Sequence, residues 1–216
     1  RAGLLVPSSS TCLERDFLIQ APAGWSFHSA RMYMEDISIN ALARLIDVFC
    51  LTAARDLACI EPNVVLFASS SAAALRGNEF EEQLKKRIES VVHARVIMPM
   101  QAARKVLKKQ HFTRLAVITP YVGEINQQIR AGLEHDDFKV LRVEGFSLTR
   151  CIDSGRLPLD QINNVAKLMV KGSPPDALFI CGTNLPVLSH LNELQEAVNC
   201  PVVCSNQAML EEMLNP

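Results

Sequence analysis

The sequence predicts an α/β protein with two pseudo-symmetric lobes, each a mostly parallel sheet flanked by helices, and an active site in the cleft between them. Short apolar runs alternate with longer helical patterns, which is typical of βαβ units with right-handed crossovers. The chain also repeats itself, because two similar apolar runs stop at Ser69 and Cys181, and two others end in Pro7 and Pro120. The numbering offsets of the two pairs are nearly equal, since 181 − 69 = 112 and 120 − 7 = 113. Two pairs at nearly one offset indicate a duplicated half.

Strands are predicted at the short apolar runs, and continuous runs such as 64–67 favour strands buried on both faces of a parallel sheet. The predicted strands are Gly3–Val6, Val64–Ser69, Ala94–Met98, Leu115–Thr119, Lys139–Glu144, Ala177–Cys181 and Val202–Ser205. The predicted helices, chosen by the spacing of their apolar residues, are Ser38–Cys59, Asn78–Val92, Gln101–Lys109, Gly123–His135, Leu159–Lys171, Val187–Asn199 and Gln207–Leu214. The segments Gln20–Met34 and Gly145–Pro158 are interpreted as loops.

The last strand and helix, Pro201–Leu214, are expected to cross back and complete the first lobe. The first lobe therefore takes in residues 1–98 and 200–216, and the second lobe residues 99–199. Open α/β sheets bind ligands at the carboxyl ends of their strands, so we expect the cleft to be formed by strand ends from both lobes.

Composition narrows the class of protein. Of the 216 residues, 49% are hydrophobic, which is enough for a packed core, and the net charge of −1 gives no electrostatic footprint for nucleic acid. No apolar stretch approaches the length of a membrane helix. The seven cysteines form no regular framework, and no cluster of His or Cys completes a zinc site. Free thiols in a reducing cytoplasm are the simplest interpretation.

The candidate catalytic residues follow the two repeated strands. Cys181 precedes Gly182 and Thr183, where a glycine permits close approach of a ligand and backbone N–H groups can hold an anion. A thiol there can shuttle protons or attack as a thiolate, and the alternative is an ordinary buried cysteine. Ser69 ends the matching strand. Its hydroxyl either faces a ligand or caps the next helix.

The candidate binding residues are hydroxyl groups near the same strand ends. Ser70 and Ser71 follow Ser69, and Ser9 and Ser10 follow the first strand. Each pair either binds a carboxylate or caps the helix that follows. Tyr121 follows Pro120, where a phenol could donate to a carboxylate or simply form part of an amphipathic surface.

These residues resemble the motifs of a known group of enzymes. The segment 6–14, Val-Pro-Ser-Ser-Ser-Thr-Cys-Leu-Glu, is similar to the opening motif of maleate cis-trans isomerases, which reads VPSSNT followed by Glu. Thr119-Pro120-Tyr121 resembles their TPY motif. The serines 69–71 with Arg76-Gly77 resemble the first catalytic loop of arylmalonate decarboxylases, and Cys181-Gly182 the second cysteine motif. The set is similar to the maleate isomerase and arylmalonate decarboxylase branch of the aspartate/glutamate racemase superfamily.

The resemblance implies a cleft for a small carboxylic or dicarboxylic acid and no metal, pyridoxal phosphate or other cofactor. It implies a catalytic cysteine in each lobe for the racemases, and only the second cysteine for the decarboxylases, where it protonates an enediolate held by a dioxyanion hole. This sequence has Ser69 at the first position and Ser10 where the isomerases have Asn. The resemblance also implies a homo-oligomer, a dimer or larger.

The leading hypothesis is thus a decarboxylase-like enzyme in which Cys181 moves the proton and Ser70, Ser71, Tyr121, Gly182 and Thr183 hold the carboxylate. One alternative is an isomerase or racemase whose first cysteine is replaced by Ser69, naturally or by engineering. Others are a non-catalytic protein that binds a small carboxylate and a structural domain without a ligand site.

Overall fold

The computed structural model describes residues 1–215 and contains two parallel four-stranded sheets. The first sheet has the order β2-β1-β3-β4, with β1 at Ala2–Pro7, β2 at Phe27–Met32, β3 at Val64–Phe67 and β4 at Arg95–Ile97. The second has the order β6-β5-β7-β8, with β5 at Arg114–Thr119, β6 at Lys139–Gly145, β7 at Ala177–Ile180 and β8 at Val202–Cys204. The predicted fold class is confirmed.

Helices connect the strands and cover the sheets. In chain order they are α1 Leu13–Gln20, α2 Ile39–Arg44, α3 Cys50–Ala58, α4 Ser70–Ala74, α5 Asn78–Val92, α6 Pro99–Lys109, α7 Gly123–His135, α8 Cys151–Gly155, α9 Leu159–Met169, α10 Leu191–Val198 and α11 Ser205–Leu214. A π-helical segment, Leu45–Phe49, joins α2 to α3, so the long helix predicted at 38–59 is helical but not uniformly α.

The predicted strand 202–205 completes the second sheet, so its assignment to the first lobe is wrong. β8 pairs with β7, with Val203 opposite Phe179. A short parallel crossover through α10 brings it beside the strand that precedes it, which is the usual outcome for consecutive βαβ units. The helix that follows, α11, does contact the first-lobe elements α1 and β4, and it also packs against α6. The last residue of the predicted first lobe, Pro216, lies outside the described residues.

The loop predicted at 20–34 contains the edge strand β2. Its side chains from Phe27 to Met32 are mostly exposed, with only Ala30 and Met32 buried. An edge strand with a solvated face lacks the continuous apolar run that identified the central strands. The loop predicted at 145–158 likewise contains the short helix α8, and α1 and α4 were also not predicted.

The two sheets have matching registers, which fixes the internal equivalence. Leu5 of β1 lies opposite Phe67 of β3, and Ile118 of β5 lies opposite Ile180 of β7. Leu5 therefore corresponds to Ile118 and Phe67 to Ile180, and the numbering offset is the same for both, since 118 − 5 = 113 and 180 − 67 = 113. Pro7 and Pro120 share this offset.

The residues just past the strands extend this equivalence. Ala68 N donates to Leu5 O and Cys181 N donates to Ile118 O, each at 2.8 Å. Ala68 therefore corresponds to Cys181, and the counterpart of Ser69 is Gly182. The pairing of Ser69 with Cys181 inferred from the sequence is wrong by one residue, because the two apolar runs were aligned by composition rather than by hydrogen-bond register.

Candidate functional site

A small cavity lies where the carboxyl ends of the two sheets meet. Its lining residues come from both lobes and are Pro7, Met34, Ile37, Ser69, Ser71, Pro120, Tyr121, Cys151, Ser154, Thr183 and Asn184. None of these side chains carries a full charge when the thiol and the phenol are protonated. The cavity volume of about 20 Å³ is room for roughly one water molecule. A larger ligand enters only if the covering segments move.

Two segments cover the cavity. Met34 and Ile37 come from the connection between β2 and α2, and Cys151 and Ser154 come from α8. The backbone joins the two covers, because Ile37 N donates to Thr149 O at 2.7 Å. Opening the cavity therefore requires at least this hydrogen bond to break or both segments to move together.

The first-lobe strand end places two of the predicted serines at the cavity. Ser69 is the N-cap of α4, and its Oγ accepts a hydrogen bond from Ala72 N at 3.4 Å. Ser69 therefore caps the helix as one alternative predicted, and it can still contact a ligand because it also lines the cavity. Ser71 Oγ lies 3.5 Å from Ser69 Oγ. Ser70 does not line the cavity, and its Oγ is 3.1 Å from Ser205 Oγ.

Cys181 is fully buried and is not among the residues that line this small cavity. Its Sγ lies 3.6 Å from Met100 Sδ, on the face of β7 that Phe179 also uses. Burial raises the pKa of the Cys181 thiol to about 12, although hydrogen bonds with Ser70 and Ser205 act in the opposite direction. The thiol is protonated at neutral pH and does not face the cavity in this structure.

The residues that follow Cys181 are engaged within the protein. Gly182 N donates to Ser205 Oγ at 3.2 Å, and Thr183 Oγ1 donates to Ala68 O at 2.7 Å. Thr183 lines the cavity, whereas Gly182 does not. The Thr183 hydroxyl therefore ties the lobes together before any ligand arrives, and the Gly182 N–H group is already occupied.

Tyr121 lies in the cavity wall, as the sequence predicted. Its hydroxyl is close to Ser71, and its backbone N donates to Thr119 Oγ1 at 3.0 Å. Burial raises the pKa of the Tyr121 phenol well above its usual range, and the nearby Cys181 acts in the same direction. The phenol is therefore a neutral hydrogen-bond donor.

Asn184, which the sequence analysis did not select, is the central polar residue of the site. Its Oδ1 accepts from Thr11 N at 2.7 Å and Cys12 N at 3.1 Å, while its Nδ2 donates to Cys151 O at 2.7 Å. One side chain thus joins the loop after β1 to α8. The sequence feature that could have identified Asn184 is its position three residues after Cys181, in a Gly-Thr-Asn segment at a strand end.

Ser9 and Ser10 lie behind this junction rather than in the cavity wall. Ser10 Oγ is 3.4 Å from Asn184 Oδ1, so its position supports the junction. Ser9 Oγ is buried, has no hydrogen-bond partner in normal geometry, and lies beside the Cys151 thiol. Neither serine lines the cavity in this structure.

Helix α8 contributes two further wall residues that no sequence signal indicated. Cys151 and Ser154 are one helical turn apart and both face the cavity. The Ser154 hydroxyl is buried and has no hydrogen-bond partner. Burial raises the pKa of the Cys151 thiol, with Ser9 and Asn184 partly offsetting that effect.

Three further observations concern residues 1–215. No group of three or more His, Cys, Asp or Glu side chains is close enough to hold a metal ion. No helix is long and apolar enough to cross a membrane. All seven cysteines are free, and of these only Cys59 is exposed.

Comparison with known proteins places the chain among isomerases and lyases. The family model described as arylmalonate decarboxylase matches residues 2–215. The maleate isomerase of Nocardia farcinica is 26% identical, covering 96% of this chain and 86% of that protein. Together with the family match, this confirms the predicted superfamily branch and an enzyme of the isomerase or lyase kind.

Two solved structures show the same fold. A mutant Nocardia farcinica maleate cis-trans isomerase with a covalently bound succinylcysteine intermediate has a TM-score of 0.92 and 24% identity, covering 99% of this chain and 91% of that one. A double mutant of arylmalonate decarboxylase in its liganded form has a TM-score of 0.90 and 17% identity, covering 99% and 90%. Cysteine chemistry is thus documented in a neighbour of this fold.

Proposed function

Because the chain belongs to the arylmalonate decarboxylase family, we propose that it is a lyase or isomerase that acts on a small carboxylic or dicarboxylic acid in the central cavity. The reaction passes through an enediolate-like state, as in the decarboxylase hypothesis. The observation that carries the proposal is the cavity wall itself, which is lined by neutral hydroxyl and amide groups and contains no charged side chain.

The hydroxyl groups at the wall suit a carboxylate. The hydroxyls of Ser69, Ser71 and Tyr121 are grouped on one side of the cavity, and Thr183 helps to hold the lobes in place around them. Preorganised donors stabilise negative charge as it develops on the substrate oxygens and need little reorganisation during the reaction.

The neutral wall restricts how a dianion of the malonate type can be held. A dianion of the malonate type would bring two charges into a site without a cation, where a buried charge is costly unless it is well hydrogen-bonded. Cleavage of the carbon–carbon bond releases neutral carbon dioxide, but the electron pair of that bond stays on the substrate, so the enediolate keeps both negative charges until its carbon is protonated. Protonation by a neutral acid then leaves a monocarboxylate, whose single charge the hydroxyl donors hold.

The proton donor is a separate question from the binding of the acid. The prediction that Cys181 transfers the proton remains a prediction, because its thiol contacts Met100 and does not line the cavity in its closed form. The alternative isomerase or racemase hypothesis, in which Ser69 stands in for a first cysteine, also remains a prediction. It is supported by the position of Ser69 in the cavity wall.

A non-catalytic carboxylate-binding protein is the second candidate. It is favoured by the finding that the two equivalent strand-end positions are Ser69 and Gly182, so neither presents a thiol to the ligand. Such a protein would keep the donors of the cavity and lack turnover. A cytoplasmic location and a homo-oligomeric state remain predictions under either function.

The test is proton NMR in D₂O with malonate, phenylmalonate and maleate, using the unmodified protein and Ser69→Cys side by side. The decarboxylase hypothesis expects the unmodified protein to convert a malonate to the deuterated monoacid. Isomerisation or α-deuteration that appears only with Ser69→Cys would contradict the decarboxylase hypothesis and favour the isomerase or racemase hypothesis. Ligand shifts without turnover in both would favour the binding protein, and no shift with any acid contradicts a carboxylate site altogether.

A further inference from the structure

A second and larger cavity lies beside the central one, in a groove between the lobes that we call the outer groove. Its volume of about 270 Å³ is close to the lower end of the usual range for small-molecule sites, roughly 300–1,000 Å³. Its lining residues are Thr11, Cys12, Arg15, Asp16, Gly155, Pro186, Ser189 and His190. None of these residues lines the central cavity.

The Asn184 side chain separates the outer groove from the central cavity. Its Oδ1 accepts from the backbone N of Thr11 and Cys12, two residues that line the groove, and Asn184 itself lines the cavity. Gly155 closes the same boundary, because a Cβ at that position would lie 2.4 Å from Thr11 Oγ1. The groove is therefore a distinct space that shares one wall with the cavity.

A buried carboxylate forms the floor of the outer groove. Asp16 is 6% exposed, and within residues 1–215 its side chain accepts one hydrogen bond, from Asn206 Nδ2 to Oδ2. The other oxygen, Oδ1, accepts none. A buried charge is costly unless it is paired and fully hydrogen-bonded. A ligand in the groove that brings a positively charged donor would supply what this carboxylate lacks.

An arginine and a histidine line the same groove, and neither forms an ion pair with Asp16. Arg15 is exposed, and its guanidinium has no ion-pair partner within residues 1–215. Consecutive residues of a helix do not face each other, so α1 directs this guanidinium and the Asp16 carboxylate apart. His190 Nδ1 lies 3.2 Å from Glu193 instead. The groove thus has an unpaired cation at its rim and an unpaired anion at its floor.

We propose that the outer groove is a binding site for a small zwitterionic α-amino acid. Its ammonium group donates to the free oxygen of Asp16, and its carboxylate accepts from the guanidinium of Arg15, whose fork of N–H donors matches the two oxygens. The hydroxyls of Thr11 and Ser189 are further hydrogen-bonding groups of the lining. This site does not rest on the proposed function, because it uses no residue of the central cavity.

An occupied outer groove should also hold the covers of the central cavity closed. A ligand between α1 and Gly155 contacts the end of α8, the helix that covers the cavity from the second lobe. Asp16 is linked to the cavity wall as well, since Asn206 Nδ2 donates to both Asp16 Oδ2 and Thr183 O. A ligand that needs both sides of the groove in place binds the closed form better and shifts the population toward it.

The first experiment titrates the unmodified protein with glycine, alanine, serine and aspartate and follows the backbone amides by proton–nitrogen correlation NMR. We expect saturable shifts at Thr11, Cys12 and His190 with at least one of these amino acids. Propionate and ethylamine, which each carry only one of the two charged groups, should give no saturable shift there. Shifts confined to Tyr121 and Thr183 would place the amino acid in the central cavity and overturn the proposal, as would no saturable shift with any of the four.

The second experiment measures the affinity of Asp16→Asn and Arg15→Gln for the amino acid that binds. Each variant removes one charge from the groove and should weaken binding at least tenfold. Helix α3 provides the matched controls, because Arg55 and Asp56 form the same exposed dipeptide outside the groove, so Arg55→Gln and Asp56→Asn should bind like the unmodified protein. Asp16→Asn keeps the shape of the side chain and should remain folded. Unchanged affinity in this variant would overturn the proposal.

The third experiment measures hydrogen exchange at Ile37 N, which donates to Thr149 O where the two covers meet. A saturating amino acid should slow this exchange at least threefold in the unmodified protein and leave it unchanged in Asp16→Asn. Binding without any change at Ile37 would contradict the effect on the covers. The proposed function is tested separately with malonate, so either site can fail while the other stands.

Discussion

At the end of β3, Ser69 presents a hydroxyl to the cavity, whereas at the equivalent end of β7 Gly182 presents none. The neighbouring positions differ in the same way. Ser71 faces the cavity with few other contacts, but its counterpart in the second lobe, Asn184, makes three hydrogen bonds to two other segments. The first strand end therefore offers hydroxyls that are bonded mainly to one another, and the second provides the framework that holds the lobes and α8 together.

The two equivalent strand ends share a backbone arrangement but differ in the role of their side chains. Both strand ends keep the same hydrogen bond, from Ala68 N to Leu5 O and from Cys181 N to Ile118 O. The side chains that follow are free to differ because this register does not involve them. Ligand binding is expected to depend mainly on the first strand end, and the stability of the closed site mainly on the second.

The largest effect is expected at the framework residue. Asn184→Ala removes the acceptor for Thr11 N and Cys12 N and the donor to Cys151 O. Buried N–H groups left without partners cost about 1–3 kcal/mol each, so we expect a loss of about 2–4 kcal/mol in the free energy of unfolding. Urea denaturation measures it.

Ser71→Ala is the matched variant at the equivalent position in the first lobe. The hydrogen bonds of Ser71 Oγ are with the hydroxyls of Ser69 and Tyr121, so its removal should cost under about 1 kcal/mol while weakening carboxylate binding. Equal stability losses in the two variants would contradict the division of tasks.

Exchanging the side chains of Ser69 and Gly182 should change the stability of the protein by unequal amounts at the two strand ends. A Cβ on Gly182 would lie 3.0 Å from Pro120 Cδ and 3.2 Å from Leu185 Cδ1, so Gly182→Ser overpacks the site by about 1–3 kcal/mol. Ser69→Gly exchanges one permitted N-cap for another and should cost only about 0.3 kcal/mol. Thermal unfolding of both variants checks this. A Gly182→Ser variant as stable as Ser69→Gly would show that the second strand end has room for a side chain.

The sequence was sufficient where burial imposes a pattern. The central strands have continuous apolar runs, and helices such as Asn78–Val92 and Gly123–His135 were predicted with the bounds that they have. The edge strand β2 was missed because its exposed face removes that pattern.

The site was harder to predict because its residues are brought together by register and long-range contacts. The cavity wall includes four of the predicted site residues, Ser69, Ser71, Tyr121 and Thr183. It does not include Cys181, which is one residue before the position equivalent to Ser69. In a strand, one residue reverses the face of the side chain, so aligning Cys181 with Ser69 instead of Ala68 changes which group is expected to meet the ligand. Cys151 carries no local signal, since its position depends on contacts of α8 with the other lobe.

The last prediction concerns a charge behind the second strand end. Asp16 Oδ2 accepts from Asn206 Nδ2 at 2.7 Å, and the same Nδ2 donates to Thr183 O at 3.1 Å, so the carboxyl is coupled to the framework side of the site. Burial raises the pKa of Asp16 from 3.8 to about 6, although Asn206, Arg15 and His190 act in the opposite direction. Between those two values the folded protein binds more protons than the unfolded chain, so stability falls as the pH rises through this window.

Asp16→Asn removes the free-energy cost of burying a charged carboxylate and keeps an oxygen that can accept the hydrogen bond from Asn206. We expect the variant to be more stable than the unmodified protein at pH 7, by no more than about 2 kcal/mol, with the difference disappearing as the pH approaches 4. Asp176→Asn is the opposing control, because backbone N–H groups of Thr113 and Arg114 lower the pKa of that carboxyl. Its substitution should reduce stability at pH 7 and matter less in acid. Chemical denaturation from pH 4 to pH 8 distinguishes the two, and a destabilised Asp16→Asn at pH 7 would show that the charge itself supports the second strand end.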